Sequence, residues 1–158
     1  MNKRNIILIG MPGAGKSSVG VILAKVLGYE FIDTDLVIQH REKRLLREII
    51  ADEGNEGFLA IENEVNATLE ADKSVIAPGG SAIYGKEAME HFKEIGTIVY
   101  LKLSYEDLAK RLGNLKGRGV VLKEGQTLKD LYDERSKLYE QYAEITVDES
   151  GRLSLIHI

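Results

Sequence analysis

The sequence predicts a three-layer α/β fold, with a central parallel sheet of five strands and helices on both faces. Three observations carry that prediction. Short strand-like runs alternate with longer segments whose apolar residues recur every three or four positions. Several of the runs are apolar throughout, which suits strands buried on both faces. Three polar clusters, "GMPGAGKSS", "DTD" and "PGGS", each follow a predicted strand directly, where ligands bind at the carboxyl rim of a parallel sheet.

The elements follow in order. Asn5–Ile9 is a continuous apolar run too short for a helix, and the glycine loop comes straight after it. Lys16–Leu27 places Val19, Ile22, Leu23, Val26 and Leu27 on one helical stripe, stopped by Gly28. Glu30–Asp33 is a short second strand. Segments 36–52, with a break near Lys43 and Arg44, and 57–71 are helical in period. The run "SVIAPGG" at 74–80 is a third strand and turn. Helix is expected at 85–93, strand at 97–103 and helix at 105–112. From about 113 to 126 the period is lost among Gly113, Gly117, Gly119 and Gly125, which predicts a mobile lid. A long amphipathic helix at 127–143 and a last strand, Ile145–Asp148, complete the pattern.

At 158 residues the chain is one domain's worth, long enough to bury roughly two thirds of its unfolded surface. The absence of cysteine excludes thiolate metal sites, redox pairs and disulfides, and disfavours a small secreted scaffold. The basic start MNKR leads into an apolar run too short for a signal peptide, and no stretch reaches membrane-spanning length. A net charge of −4 argues against a general nucleic-acid surface. A soluble, cytoplasmic, monomeric protein acting on a small molecule is expected, with no nucleic-acid or membrane partner.

The chemistry concentrates in the glycine loop. Gly10, Gly15, Lys16 and Ser17 fall at the spacing G-x-x-x-x-G-K-S between a strand and a helix. Gly10, Gly13 and Gly15 let backbone N–H groups form an anion nest, and the helix N-terminus points its positive end at the same place. A nucleoside triphosphate is the expected ligand, held along Gly13, Ala14, Gly15, Lys16, Ser17 and Ser18. Lys16 reaches the terminal phosphates, and the Ser17 hydroxyl joins the shell of a magnesium ion. Asp33 and Asp35, two apart beside that loop, suit metal and acceptor roles respectively, although Asp is also a common helix cap. Arg118 lies in the lid segment, where a closing cation assists phosphoryl transfer. On spacing alone, Arg135 and Tyr139 form a pair on an exposed helical face. His40, His91 and His157 match no metal spacing, and the seven tyrosines suit core edges.

With these residues in place the chain resembles the shikimate kinase family, P-loop phosphotransferases of the nucleoside monophosphate kinase type. The carriers are "GMPGAGKSSVG", "FIDTD", "GFLAIENEV", "APGGSA", "GRGVVL" and "ERSKLYEQYA", spread over 6–148. The resemblance implies ATP and Mg2+ as cofactors, and phosphorylation of shikimate to shikimate 3-phosphate. It implies that Asp35 contacts the acceptor hydroxyl and that Ser17 and Asp33 assist magnesium. It further implies that Arg111 lies on the adenine side, that Arg118 contacts phosphate, and that Arg135 binds the acceptor carboxylate. Gly79 and Gly80 match part of a glycine triplet beside the acceptor.

Three departures stand out. Leu59 occupies a position where the family has an Arg that shares the acceptor carboxylate, while Glu62 remains. Losing such a contact in a desolvated site weakens binding about a hundredfold. Ser81 replaces the third glycine, and Gly119 replaces the usual Pro after the lid Arg. Leu59 and Ser81 are therefore expected to line an edited acceptor pocket. The alternatives are a kinase for another small hydroxylated acceptor such as homoserine, whose ammonium an unpaired Glu62 would hold, or a non-catalytic ATP-binding protein.

Overall fold

A computed structural model describes residues 3–113 and 125–149, so most of the expected lid, Arg118 included, lies outside the described residues. Five strands form one parallel sheet in the order β2-β3-β1-β4-β5. They are β1 (Asn5–Ile9), β2 (Glu30–Asp33), β3 (Ser74–Ala77), β4 (Gly96–Lys102) and β5 (Ile145–Asp148). The helices are α1 (Lys16–Leu27), α2 (Thr34–Glu42), α3 (Leu46–Ala67), α4 (Lys86–Ile95), α5 (Tyr105–Gly113) and α6 (Leu128–Tyr142). The register pairs Ile7 with Ile76 on one side and with Ile98 on the other. That alignment sends Ile7, Ile9, Ile76, Ile98 and Tyr100 to one face, where α4, α5 and α6 cover them with Met89, Phe92, Leu108, Leu131 and Tyr139. Leu8, Val75 and Leu101 point the other way, toward Ala24 of α1. Burial of large apolar side chains on both faces is the main stabilising contribution.

The buried face of α1 differs from the expected stripe. Gly20 and Ala24 are the buried positions, while Val26 is 76% exposed and Ile22 and Leu27 also face outward among the described residues. The reason is close packing: a Cβ on Gly20 would stand 2.5 Å from the Phe31 ring, so small residues set the helix against the sheet. The break after α2 falls where expected, with Lys43 left-handed at φ 55°. The two segments on either side of residue 54 belong to α3, interrupted at Gly54 (φ 76°, ψ 175°). A 3-10 turn at Gly80–Tyr84, absent from the sequence reading, follows β3.

At the amino-terminal end of the sheet, Asn5 is buried with its side chain fully engaged. Its amide nitrogen donates to the carbonyls of Ala71 and Ile95, each at 2.9 Å, and its amide oxygen accepts from the Ser74 N–H at 3.0 Å. No helix among the described residues is long and apolar enough to cross a membrane.

Candidate active site

The glycine loop joins β1 to α1 at the carboxyl rim. Gly13 and Gly15 adopt φ of 89° and 86°, a left-handed geometry that side chains disfavour and that lets successive N–H groups share one concave side. Ala14 is buried and donates its N–H to the Met11 carbonyl at 3.0 Å, while Ser17 and Ser18 open α1 on its exposed face. The Lys16 ammonium donates to the carbonyls of Gly10 (2.7 Å) and Met11 (3.0 Å). Burial pushes it down to about 8, against the pull of Asp35. Arg111 of α5 reaches the same loop, with Nη1 donating to the Gly13 carbonyl at 2.9 Å. Its Nε and Nη2 are buried without a hydrogen-bond partner among the described residues.

Asp33 ends β2 and caps α2, its Oδ1 accepting the Asp35 N–H at 2.9 Å. The cap and the site therefore coincide, because capping fixes the turn that carries Asp35. Burial pushes the Asp35 carboxyl up to about 6; Asp33 adds to the rise and Lys16 opposes it. Gly79 lets the chain after β3 pass close to this carboxyl: a Cβ there would stand 2.9 Å from Asp35 Oδ1 and 3.2 Å from Glu62 Oε2. Gly80 sits equally tightly, with Pro12 Cδ at 2.8 Å and Arg135 Nη1 at 2.9 Å from the same construction. The phosphate loop and α6 thus meet at Gly80.

Arg135 and Tyr139 do not lie on an exposed face. They are 8% and 0% exposed, because α6 turns this edge toward the sheet. The Arg135 guanidinium stands 5.6 Å from the Tyr84 ring centre, and the Tyr84 hydroxyl donates to Glu134. Tyr139 donates to the Gly80 carbonyl and stacks on Tyr100, which places both rings inside the core and not at its edge. Neither Tyr84 nor Tyr139 was legible as a site residue; the available signal was the spacing of Tyr139, one helical turn beyond Arg135. Glu62 of α3 is buried and accepts from the Ser81 hydroxyl at 2.7 Å. Leu59, one turn before Glu62 on α3, packs with the α2–α3 cluster of Ile38, Ile49, Phe58 and Val65.

The structure therefore gathers Lys16, Asp33, Asp35, Gly79, Gly80, Ser81, Arg111 and Arg135 around one rim. Among the described residues no group of three or more His, Cys, Asp or Glu side chains gathers to hold a metal ion. Such a rim can bind phosphates at one end and orient a hydroxyl at the other.

Known proteins resemble this chain in sequence and fold. The family model described as shikimate kinase matches residues 12–156. Shikimate kinase 2 of Yersinia pseudotuberculosis (serotype O:3, strain YPIII) is 33% identical over 162 aligned positions, covering 97% of this chain and 91% of that protein. The structure of shikimate kinase from Acinetobacter baumannii in complex with shikimate superposes with a TM-score of 0.80 at 35% identity, over 90% of this chain and 82% of that one. The enzyme from Aquifex aeolicus gives 0.73 at 33% identity, over 91% and 85%. A match from the glycine loop onward, sustained at one-third identity over nearly the whole chain, shows that this chain belongs to the shikimate kinase family.

Proposed function

We propose that this chain transfers the γ-phosphoryl group of ATP to a hydroxyl of shikimate. The observation that carries the reading is the position of Asp35, close enough to Lys16 for each to shift the other's proton affinity and directly beside Gly79. A hydroxyl held by Asp35 lies next to the cation that serves the phosphates.

In this reading Lys16 exchanges its loop carbonyls for phosphate oxygens and, with Arg118 of the lid, stabilises the charge that moves during transfer. Asp35 orients the acceptor hydroxyl and accepts its proton as the new oxygen–phosphorus bond forms and the bond to ADP breaks. A carboxyl raised to about 6 is ionised at neutral pH and a better proton acceptor than an ordinary one. Arg135 binds the acceptor carboxylate, and Arg111 lines the nucleotide side. Ser17 and Asp33 fit magnesium, since they offer only hard oxygen donors and the Asp33 cap uses Oδ1 alone. Magnesium would withdraw charge from the phosphates.

The test is a coupled ADP-release assay with magnesium ATP against shikimate, quinate, homoserine, serine, gluconate and nucleoside monophosphates. Selective turnover of shikimate is expected. Turnover of homoserine without shikimate would overturn the acceptor, and ATP binding with no turnover of any acceptor would favour the non-catalytic alternative.

A further inference from the structure

Glu62 has one oxygen spoken for and one free to act. Oε1 accepts from the Ser81 hydroxyl at 2.7 Å, whereas Oε2 is buried without a hydrogen-bond partner among the described residues. Oε2 and Asp35 Oδ1 lie 3.2 and 2.9 Å from the point where a Gly79 Cβ would stand, so the two carboxyls face each other across that glycine. Arg135 on α6 presents a buried Nε that is likewise unpartnered among the described residues. Leu59, one turn before Glu62, packs into the α2–α3 cluster and supplies no cation. The groups that face Glu62 are thus Ser81 from the 3-10 turn, Asp35 from α2 and Arg135 from α6, while Glu64 on its own helix pairs with Arg41.

An ionised Glu62 here repels an acceptor carboxylate, because Asp35 already offsets the single guanidinium. A protonated Glu62 attracts it, and Ser81 decides which oxygen carries the proton. With the serine hydroxyl donating to Oε1, the proton resides on Oε2, the atom beside Gly79.

We propose that Glu62 binds the acceptor carboxylate as a neutral carboxyl, donating from Oε2 where a second guanidinium is missing, with Ser81 as the residue that positions it. This inference rests on the reading that the acceptor carries a carboxylate. It agrees with the environment of the group: burial pushes the Glu62 carboxyl up to about 7, with Asp35 adding to the rise and Ser81 and Arg135 opposing it. The departures Leu59 and Ser81 then form one substitution in two parts, a cation removed and a hydroxyl supplied to hold what it leaves behind.

The experiment is steady-state kinetics with shikimate at saturating magnesium ATP between pH 6.5 and 8.5. The wild-type KM for shikimate is expected to rise about twentyfold across that range, following loss of one proton near neutrality. Glu62→Gln, which keeps a neutral donor, abolishes the rise, so that its KM at pH 8.5 falls below the wild-type value. Ser81→Ala raises KM several-fold with little change in kcat, and Ser81→Thr restores it. A wild-type KM that is flat or falls with pH overturns the proposal without recourse to any variant, as does a Glu62→Gln KM as high as that of Glu62→Ala. Absence of shikimate turnover by the wild type at every pH would instead remove the functional reading itself, and the inference with it.

Discussion

The Tyr139 hydroxyl donates to the Gly80 carbonyl at 2.7 Å and so ties α6 to the chain that follows β3. Arg135 lies one turn earlier on the same helix and approaches the same glycine through Nη1. One helix therefore sets both the guanidinium and the backbone it faces. Tyr139→Phe leaves this part-buried carbonyl without its donor, a loss of about 1 kcal/mol. Denaturant titration is expected to show that loss, and kinetics a higher KM for the acceptor with the KM for ATP unchanged.

Lys16 is held over the glycine loop by two carbonyls and serves phosphate in the proposed reaction. Lys16→Ala is expected to lower turnover by at least about a hundredfold, the scale on which a transition-state charge partner acts. Circular dichroism is expected to show an intact fold. Near-normal activity in that variant would remove the basis of the functional account.

Gly79→Ala places a methyl group against two carboxyl oxygens, 2.9 Å from Asp35 and 3.2 Å from Glu62. Both side chains are able to swing aside, so the fold tolerates the change, but the hydroxyl-binding geometry does not. We expect kcat/KM for the acceptor to fall by roughly ten- to a hundredfold, as small misplacements of reacting groups do. Nucleotide affinity, measured by calorimetry, is expected to stay close to that of the wild type.

Glu62 also makes stability depend on pH. Its carboxyl titrates near 7 in the folded chain against an ordinary 4.5, so between those values the folded state holds more protons than the unfolded state. Stability therefore falls as pH rises from about 4.5 and levels off above about 7, a loss of at most about 3 kcal/mol from this group. Asp35 acts in the same direction in both proteins, so the wild type and Glu62→Gln must be compared at pH 5 and pH 8. The variant is expected to lose less on going to pH 8. Equal losses would mean that Glu62 titrates like an exposed carboxyl.

β1 and β3 were the most legible strands, short and largely apolar runs followed by a glycine-bearing loop, whereas β2 (EFID) and β5 (ITVD) mix apolar with polar and acidic residues. The phosphate loop was legible because left-handed backbone at Gly13 and Gly15 demands glycine at fixed spacing. Helix faces were harder to read. On α1 the buried contact with the sheet is made by Gly20 and Ala24, with Val19 and Leu23 packed beside them, so a search for large apolar residues finds part of the face but also takes in the exposed Ile22, Val26 and Leu27. On α6, the charged stretch "DERSK" hides a buried edge, since Arg135 is buried there in spite of its charge. The Glu62–Ser81 bond joins residues 19 apart on different elements, and no local period encodes such a meeting. Leu59 was read as an acceptor-pocket residue from its alignment position alone, and its apolar neighbours on α2 and α3 were visible only once those helices packed.

Asn5, far from all this chemistry, bears on how the chain reaches its native state. Its three side-chain bonds go to residues 66, 69 and 90 positions away, drawn from the ends of two crossover connections and the start of a strand. None of them forms locally, and all three are satisfied together only when β1, β3 and β4 are aligned. A slip of one residue in a parallel sheet exchanges its two faces, and in such a misfolded intermediate this amide would be stranded in an apolar interior. The asparagine thus penalises wrong alignments of the central strands, through bonds that close only once parts of the chain 66 to 90 residues apart have met.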